Sequence, residues 1–219
     1  MCISGTCGKE VAMAVVRAIQ EKKDYLSEVD GLIGDGDHGI NMNKGVTLFA
    51  GKVEDREKVD IAEAFKLLGR TLLSDIGGSM GPIYGTFFME MAKQAKDQNS
   101  INAEQFGQML SAALEGIRQL GGAQVGDKTL IDCLEPAVTA FQDSNWEGRS
   151  FEQSLLEMKE AAEKGRDSTK DLRARLGRAS RLGERSRGVL DAGAVSCCII
   201  LEAMADEITA QLNKADCER

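Results

Sequence analysis

Apolar residues recur three and four positions apart through most of the chain, which is the spacing of one face of a helix. The clearest stripes are Val11/Val15/Ala18/Ile19, Ile61/Phe65/Leu68/Leu72, Phe106/Leu110/Ala113/Ile117 and Leu201/Met204/Ile208/Leu212. No segment alternates between apolar and polar residues convincingly enough to predict a strand. The pattern predicts helices near 8–26, 39–52, 60–75, 82–97, 101–119, 127–142, 150–166 and 191–213.

Helix boundary signals agree with this division of the chain. Asp60 with Glu63, and Ser150 with Gln153, have the spacing of a capping box, and Pro82 lies at a plausible first helical position. Only two prolines interrupt the 219 residues, and most connections between the predicted helices are short. We therefore predict an all-α protein, an antiparallel eight-helix bundle or barrel that forms a single domain over residues 1–219.

Charge and composition narrow the function classes. The 35 acidic against 27 basic residues give a net charge of −8, which disfavours binding to nucleic acid or to an anionic membrane surface. The first residues lack the charged and apolar regions of a secretion signal, so a cytoplasmic location is expected. The six cysteines include no C-x-x-C pair, which favours reduced thiols over a zinc site or a disulfide framework.

Two predicted connections are unusual, and the first, 27–38, is dense in aspartate and glycine. It carries Asp30, Asp35 and Asp37, whose carboxylates would repel one another without a cation. Mg²⁺ takes oxygen ligands and often keeps substrate phosphates as further ligands, so this segment is a candidate site for a Mg-nucleotide. A helix that begins near His38 would direct free backbone N–H groups at the same anion.

A simpler interpretation of this connection stays open, because aspartate and glycine are common in turns and the carboxylates could cap the following helix. His38 is the single histidine of the chain, and it could be either a phosphate contact or an ordinary capping residue.

Two further clusters could contact phosphate. Gly77–Pro82 opens a predicted helix and would let backbone approach an anion, although the same sequence is also a good helix-breaking turn. The second unusual connection, 167–190, carries six arginines suited to bidentate phosphate contacts, and the alternative is a solvated basic loop. Neither cluster matches a Walker A loop or a Rossmann fingerprint.

Together, five motifs in order resemble the nucleotide-binding L subunit of the dihydroxyacetone kinases over nearly the whole chain. They are Tyr25-Leu26-x-x-x-Asp30, Ile33-Gly34-Asp35-Gly36-Asp37-His38-Gly39-x-Asn41-Met42, Gly77-Gly78-x-x-Gly81-Pro82-x-x-Gly85, Gly126-Asp127-Lys128-Thr129 and Gly177-Arg178-Ala179-Ser180-x-Leu182-Gly183-Glu184-Arg185-Ser186.

The resemblance implies an antiparallel eight-helix barrel that binds ADP or ATP at one end. It assigns the Mg²⁺ ligands, for two ions, to Asp30, Asp35 and Asp37. It assigns the nucleotide contacts to His38, Asn41, Ser79, Met80, Gly121, Leu130, Arg178, Asp191 and Gly193. It also implies two partners: a K subunit that holds the small ketose covalently on its own histidine, and an M-type phosphocarrier subunit that uses phosphoenolpyruvate to recharge ADP. No catalytic residue is therefore expected in this chain.

Four positions depart from the family pattern. Met80 stands where a phosphate-contacting serine is common, Ala192 replaces a proline, Arg181 an aromatic residue and Gly122 a lysine. These changes leave two other functions open: an ATP-dependent kinase subunit for another small ketose such as a tetrulose, and a non-catalytic ADP-bound regulatory protein.

Overall fold

The structure, a computed structural model, describes residues 1–217. Within that range it contains nine α-helices and one short two-stranded sheet. The helices are α1 (Gly8–Glu21), α2 (Lys23–Ile33), α3 (His38–Val53), α4 (Ile61–Asp75), α5 (Met80–Gln94), α6 (Ala103–Gly121), α7 (Ile131–Trp146), α8 (Phe151–Ser168) and α9 (Ala192–Cys217). The strands are β1 (Cys2–Ser4) and β2 (Ser100–Asn102), and 3₁₀ helices span Thr169–Asp171 and Arg178–Ser186.

Eight of the helices form a closed circuit of neighbours. α1 packs on α3, α3 on α4, and the succession continues through α5, α6, α7 and α8 to α9, which returns to α1. The predicted apolar stripes face the interior of this circuit: Ile61, Phe65, Leu68 and Leu72, for example, are all at most 3% exposed. The prediction of an all-α eight-helix barrel is confirmed.

The prediction was wrong about the first helix and the connection after it. The predicted helix 8–26 ends at Glu21, and α2 occupies most of the segment 27–38 that we had expected to be a loop. Leu26, Val29 and Ile33 continue the helical spacing and are buried, so the core selects a helix although Gly31 weakens it. α2 lies outside the circuit and packs on α3 and α9.

Two smaller differences have local causes. Residues 2–4 and 100–102 pair as antiparallel strands although neither alternates convincingly, because each is too short to show a period. The predicted helix 127–142 begins instead at Ile131. The carboxylate of Asp132 accepts hydrogen bonds from the N–H groups of Gly126 (2.6 Å) and Thr129 (2.7 Å), and these bonds hold residues 126–130 in a turn.

No helix within residues 1–217 combines the length and the hydropathy that crossing a bilayer requires.

Candidate nucleotide and metal site

The up-and-down succession of helices brings four connections to one end of the barrel. α2–α3, α4–α5, α6–α7 and α8–α9 all turn at this end, because every second connection of an antiparallel bundle lies on the same side. Every site residue predicted from the sequence lies in one of these connections or in the helical turn that directly adjoins it. The helices α3, α5, α7 and α9 therefore begin here, and their N-terminal ends favour a bound anion.

The three predicted metal ligands come together. Asp30 is in the last turn of α2, while Asp35 and Asp37 lie in the four-residue link to α3, and one oxygen from each lies within 4.8 Å of the others. Within residues 1–217 this is the one group of three or more such side chains that could hold a metal ion. Mg²⁺ binds oxygen at about 2.0–2.1 Å, so this spacing fits carboxylates that share one ion or flank two.

Hydrogen bonds in the link argue against the interpretation of these aspartates as simple helix caps. Asp37 immediately precedes α3, yet its side chain makes no capping bond. Asp30 accepts a long hydrogen bond of 3.4 Å from the N–H of His38. Apart from one oxygen of Asp35, which pairs with Arg178, the remaining carboxylate oxygens are available to a cation, as the donor set of a Mg²⁺ site requires.

Glycine at position 39 lets α3 approach α2 closely. A Cβ atom built on Gly39 would lie 1.9 Å from the carbonyl oxygen of Lys23 and 2.7 Å from the Ser27 hydroxyl, so no other residue fits without backbone movement. This contact fixes the first two turns of α2 beside the start of α3, and it thereby sets the position of the helix that carries Asp30.

A pair of substitutions on α3 tests this role. Gly39→Ala is expected to lower the free energy of unfolding by about 1–3 kcal/mol, because a backbone atom must move. Gly51→Ala is the matched control on the same helix, since a Cβ at Gly51 meets nothing within 4 Å. That control should raise stability by about 0.5–1 kcal/mol through helix propensity. Urea denaturation of both variants measures the difference, and equal stability would contradict the close approach.

His38 is the first residue of α3 and is buried. The edge of its imidazole ring that carries Nε2 faces away from solvent. Its Nε2 atom lies 2.8 Å from the hydroxyl of Ser196 on α9. Burial lowers the pKa of His38 to about 4, although the nearby carboxylate of Asp30 acts in the opposite direction. The imidazole is therefore neutral at neutral pH.

The start of α9 meets the start of α7 beside this histidine. A Cβ atom on Gly193 would lie 2.9 Å from the carboxylate of Asp191 and 3.5 Å from the backbone nitrogen of Leu130, so a larger residue there would displace the Asp191 carboxylate. Asp191 accepts a hydrogen bond of 2.8 Å from Ala194 N–H and caps α9. Burial raises the pKa of Asp191 to about 6, while that bond and the charge of Lys128 lower it.

Arg178 reaches the metal cluster from the 3₁₀ helix between α8 and α9, where its guanidinium pairs with the carboxylate of Asp35. Three other arginines of this connection pair with acidic neighbours: Arg173 and Arg187 with Glu184, and Arg175 with Asp127. These side chains are at least half exposed. Four of the six arginines in this segment are therefore ion-paired, and one of the four, Arg178, contacts a predicted metal ligand.

For the remaining predicted nucleotide contacts, the structure shows only that they lie at this end of the barrel. Asn41 is half-buried in the first turn of α3, Ser79 is exposed just before α5, and Gly121 is the exposed last residue of α6. Met80 is buried in the core. Within residues 1–217, no side-chain hydrogen bond joins these four to the three aspartates.

Two of the four residues that depart from the family pattern have a structural explanation. Gly122 has φ 64° and ends α6, a left-handed position that glycine occupies without strain. Ala192 begins α9 and is 7% exposed, so it packs in the core. The structure offers no explanation for Arg181.

Sequence reasoning missed a buried lysine in this region. Lys128 is 1% exposed and its ammonium donates hydrogen bonds to the carbonyl oxygens of Thr169 and Val189, near the two ends of the arginine-rich segment. Its backbone has φ 62°, an uncommon conformation that these contacts hold in place. The motif Gly126-Asp127-Lys128-Thr129 was the available signal, but it gave no role to the lysine.

Comparison with known proteins shows the family. The DAK2 domain model matches residues 32–206. The chain is 42% identical over 186 residues to the ADP-binding subunit DhaL of PEP-dependent dihydroxyacetone kinase 1 from Listeria innocua, covering 85% of this chain and 88% of that protein. The corresponding DhaL subunit of Escherichia coli is 38% identical over 84% of this chain and 88% of its own length.

More distant relatives are longer proteins. An L-erythrulose kinase from Pectobacterium atrosepticum is 31% identical over 90% of this chain, which spans only 35% of that enzyme. The crystal structure of the C. freundii dihydroxyacetone kinase in complex with AMP-PNP and Mg²⁺ superposes with a TM-score of 0.68 at 23% identity, over 91% of this chain and 33% of that one. This last likeness concerns the fold alone. With its gathered aspartates and its two DhaL relatives, this chain belongs to the DAK2 domain family, in the group of dihydroxyacetone kinase L subunits.

Proposed function

We propose that this chain is the ADP-binding phosphotransferase subunit of a PEP-dependent dihydroxyacetone kinase of the cytoplasm. The single observation that carries the proposal is the gathering of three carboxylates within 4.8 Å at the end of the barrel where four helices begin. The DhaL names of the L. innocua and E. coli relatives support the assignment.

In this proposal Asp30, Asp35 and Asp37 hold two Mg²⁺ ions, which neutralise phosphate charge when bound. His38, Asn41 and the backbone of Ser79 and Met80 contact the phosphates. The rest of the nucleotide pocket is formed by Gly121, Leu130, Arg178, Asp191 and Gly193.

Catalysis by such a site would come from positioning and electrostatics, with no nucleophile from this chain. The N-terminal ends of four helices favour the negative charge of the phosphates. His38 is neutral at neutral pH and held by Ser196, so it can contact a phosphate oxygen without a change in protonation. The ketose would be presented by a separate K subunit at the same end of the barrel.

For the donor, we propose that ADP stays bound and is recharged in place by an M-type phosphocarrier subunit. Both DhaL relatives carry the description PEP-dependent. Tight retention requires slow dissociation, and differences in affinity between related complexes lie chiefly in the off-rate.

The test is direct. Protein purified without added nucleotide is expected to carry ADP through gel filtration, and to be charged by a phosphorylated carrier faster than by external ATP. With the K subunit and dihydroxyacetone it should then yield phosphorylated ketose, measured by mass spectrometry. Nucleotide-free protein that turns over with external ATP would contradict the recharging step. Binding of ADP without any product would instead identify a regulatory binding protein.

A second ketose is favoured by one observation, because the erythrulose kinase relative matches 90% of this chain. The same assay with erythrulose in place of dihydroxyacetone separates the two substrates by the mass of the product.

A further inference from the structure

Two buried hydroxyl groups lie behind the imidazole of His38. The Oγ atom of Ser196, on α9, is 2.8 Å from Nε2 of His38 and 2.5 Å from the phenol oxygen of Tyr84, on α5. Both hydroxyls also lie near the carbonyl oxygen of Gly193, at 3.1 Å from Ser196 and 3.2 Å from Tyr84. Ser196 is 0% and Tyr84 2% exposed, so this chain of hydrogen bonds is closed to water.

The protons of such a chain can be ordered in two directions. If Ser196 donates to Tyr84, His38 must donate a proton from Nε2 to Ser196, and its Nδ1 atom carries a lone pair. If Tyr84 donates to Ser196, the serine proton is free for Nε2, and the imidazole proton is on Nδ1. The direction therefore decides what the exposed edge of the imidazole offers to a ligand.

The acidity of the groups selects the second direction, in which the Tyr84 proton goes to Ser196 at 2.5 Å and not to the Gly193 carbonyl oxygen at 3.2 Å. A phenol is a stronger hydrogen-bond donor than an aliphatic hydroxyl, so the 2.5 Å bond is donated by Tyr84. Burial raises the pKa of Tyr84 well above its usual value, so the phenol keeps the proton that it donates. Ser196 then has two acceptors, and Nε2 at 2.8 Å is nearer than the Gly193 carbonyl at 3.1 Å.

The other ring nitrogen faces a different environment. Among the described residues, Nδ1 of His38 makes no hydrogen bond. In the same residues, Ser27 Oγ is the sole side-chain polar atom that is both buried and without a partner. Nδ1 is therefore not fully buried and retains contact with solvent. The carboxylate of Asp30 lies 3.4 Å from the backbone nitrogen of His38, so the residue adjoins the three carboxylates. A lone pair on Nδ1 would face carboxylates and phosphates, whereas an N–H would be attracted to them.

We propose that Tyr84 and Ser196 are positioning residues that hold the imidazole of His38 in the tautomer protonated on Nδ1, so that it donates a hydrogen bond to the nucleotide phosphates. The ordered chain runs from the Tyr84 phenol to Ser196 Oγ and from there to Nε2. The role towards phosphate rests on the proposed function, while the tautomer itself is a property of the ligand-free protein.

Nitrogen NMR of the imidazole tests the tautomer directly. The chain has one histidine, so a protein labelled with ¹⁵N-histidine and freed of any affinity tag gives the two ring nitrogens without ambiguity. At neutral pH, without nucleotide, Nδ1 is expected to resonate as a protonated nitrogen and Nε2 as an unprotonated one. The opposite pattern in the wild-type protein would overturn the proposal.

Substitutions show whether the hydroxyls cause the effect. Ser196→Ala should shift the imidazole towards the Nε2-protonated form that free histidine prefers in water, and Tyr84→Phe should give a smaller shift in the same direction. Ser154→Ala is the matched control, because Ser154 is also 0% exposed but bonds to Ser144, between α8 and α7. An unchanged tautomer in a folded Ser196→Ala protein would refute the role of the serine.

Calorimetry with Mg-ADP then separates this proposal from the proposed function. Ser196→Ala is expected to weaken ADP binding about tenfold, equivalent to about 1.4 kcal/mol, and Ser154→Ala to leave it unchanged. Equal ADP affinity in both variants would overturn the phosphate role of His38. If the wild-type protein binds no ADP, the proposed function fails, while the NMR result still decides the tautomer.

Discussion

Removal of divalent metal is expected to weaken ADP binding at least about a hundredfold, because loss of groups that merely orient metal ligands already costs about 10–100-fold in metal affinity. Without a cation, the carboxylates of Asp30, Asp35 and Asp37 would repel the nucleotide phosphates at close range. Calorimetry of ADP binding with Mg²⁺ and with EDTA measures the effect, and equal affinities would exclude the metal site.

Asp35→Ala should reproduce the EDTA result in the presence of Mg²⁺. Asp24→Ala is its matched control, since it removes the same charge from the fully exposed side chain of Asp24 on α2. A change in net charge alone would affect both variants alike. Only loss of a metal ligand would make the first variant weak and leave the second unchanged.

Substitution of the buried lysine is expected to have the largest effect on stability. Lys128→Met should lower the free energy of unfolding by about 3–5 kcal/mol, because it leaves the buried groups that Lys128 compensates without their cation. These groups are the carbonyl oxygens of Thr169 and Val189 and the carboxylates of Asp191 and Asp132. The control Lys22→Met removes a charge from an exposed position and should be neutral.

The same variant tests the arginine-rich segment 167–190. In the wild-type protein, hydrogen exchange across the segment should slow when Mg-ADP is added, because a ligand charge orders such loops. In Lys128→Met the exchange should be fast with or without ligand. If the hydrogen-exchange rates of the wild-type protein do not change when Mg-ADP is added, this segment is a solvated loop.

Local sequence features were sufficient to predict structure where apolar residues repeat at a helical period or where charged residues cluster. The stripe Ile61/Phe65/Leu68/Leu72 predicted α4 almost to the residue, because its apolar face and its Asp60 cap agree. The aspartates of residues 30–37 predicted a cation site because three like charges in so short a segment need one. Their gathering within 4.8 Å agrees with that interpretation.

Other features were decided only by contacts between distant parts of the chain. α2 is helical because the core and α3 accept its apolar face, and this tertiary burial outweighs the weak helix propensity of Gly31. The start of α7 was misplaced by four residues because the turn at 126–130 depends on the carboxylate of Asp132. The side-chain bonds of this turn leave no periodic signal in the sequence, and the helical spacing of Leu26, Val29 and Ile33 is too short to predict α2 among the surrounding aspartates and glycines.

By itself, the sequence determined the helical class, the order of the helices and the residue types that could bind a Mg-nucleotide, since these depend on spacing within short segments. The tertiary structure alone decided which of those residues meet, because the alternation of helix directions brings four separate connections to one end of the barrel. Ser196 and Tyr84 are 112 residues apart in the chain, and Ser196 is 158 residues from His38. A hydrogen bond over such separations exists only once the helices have packed.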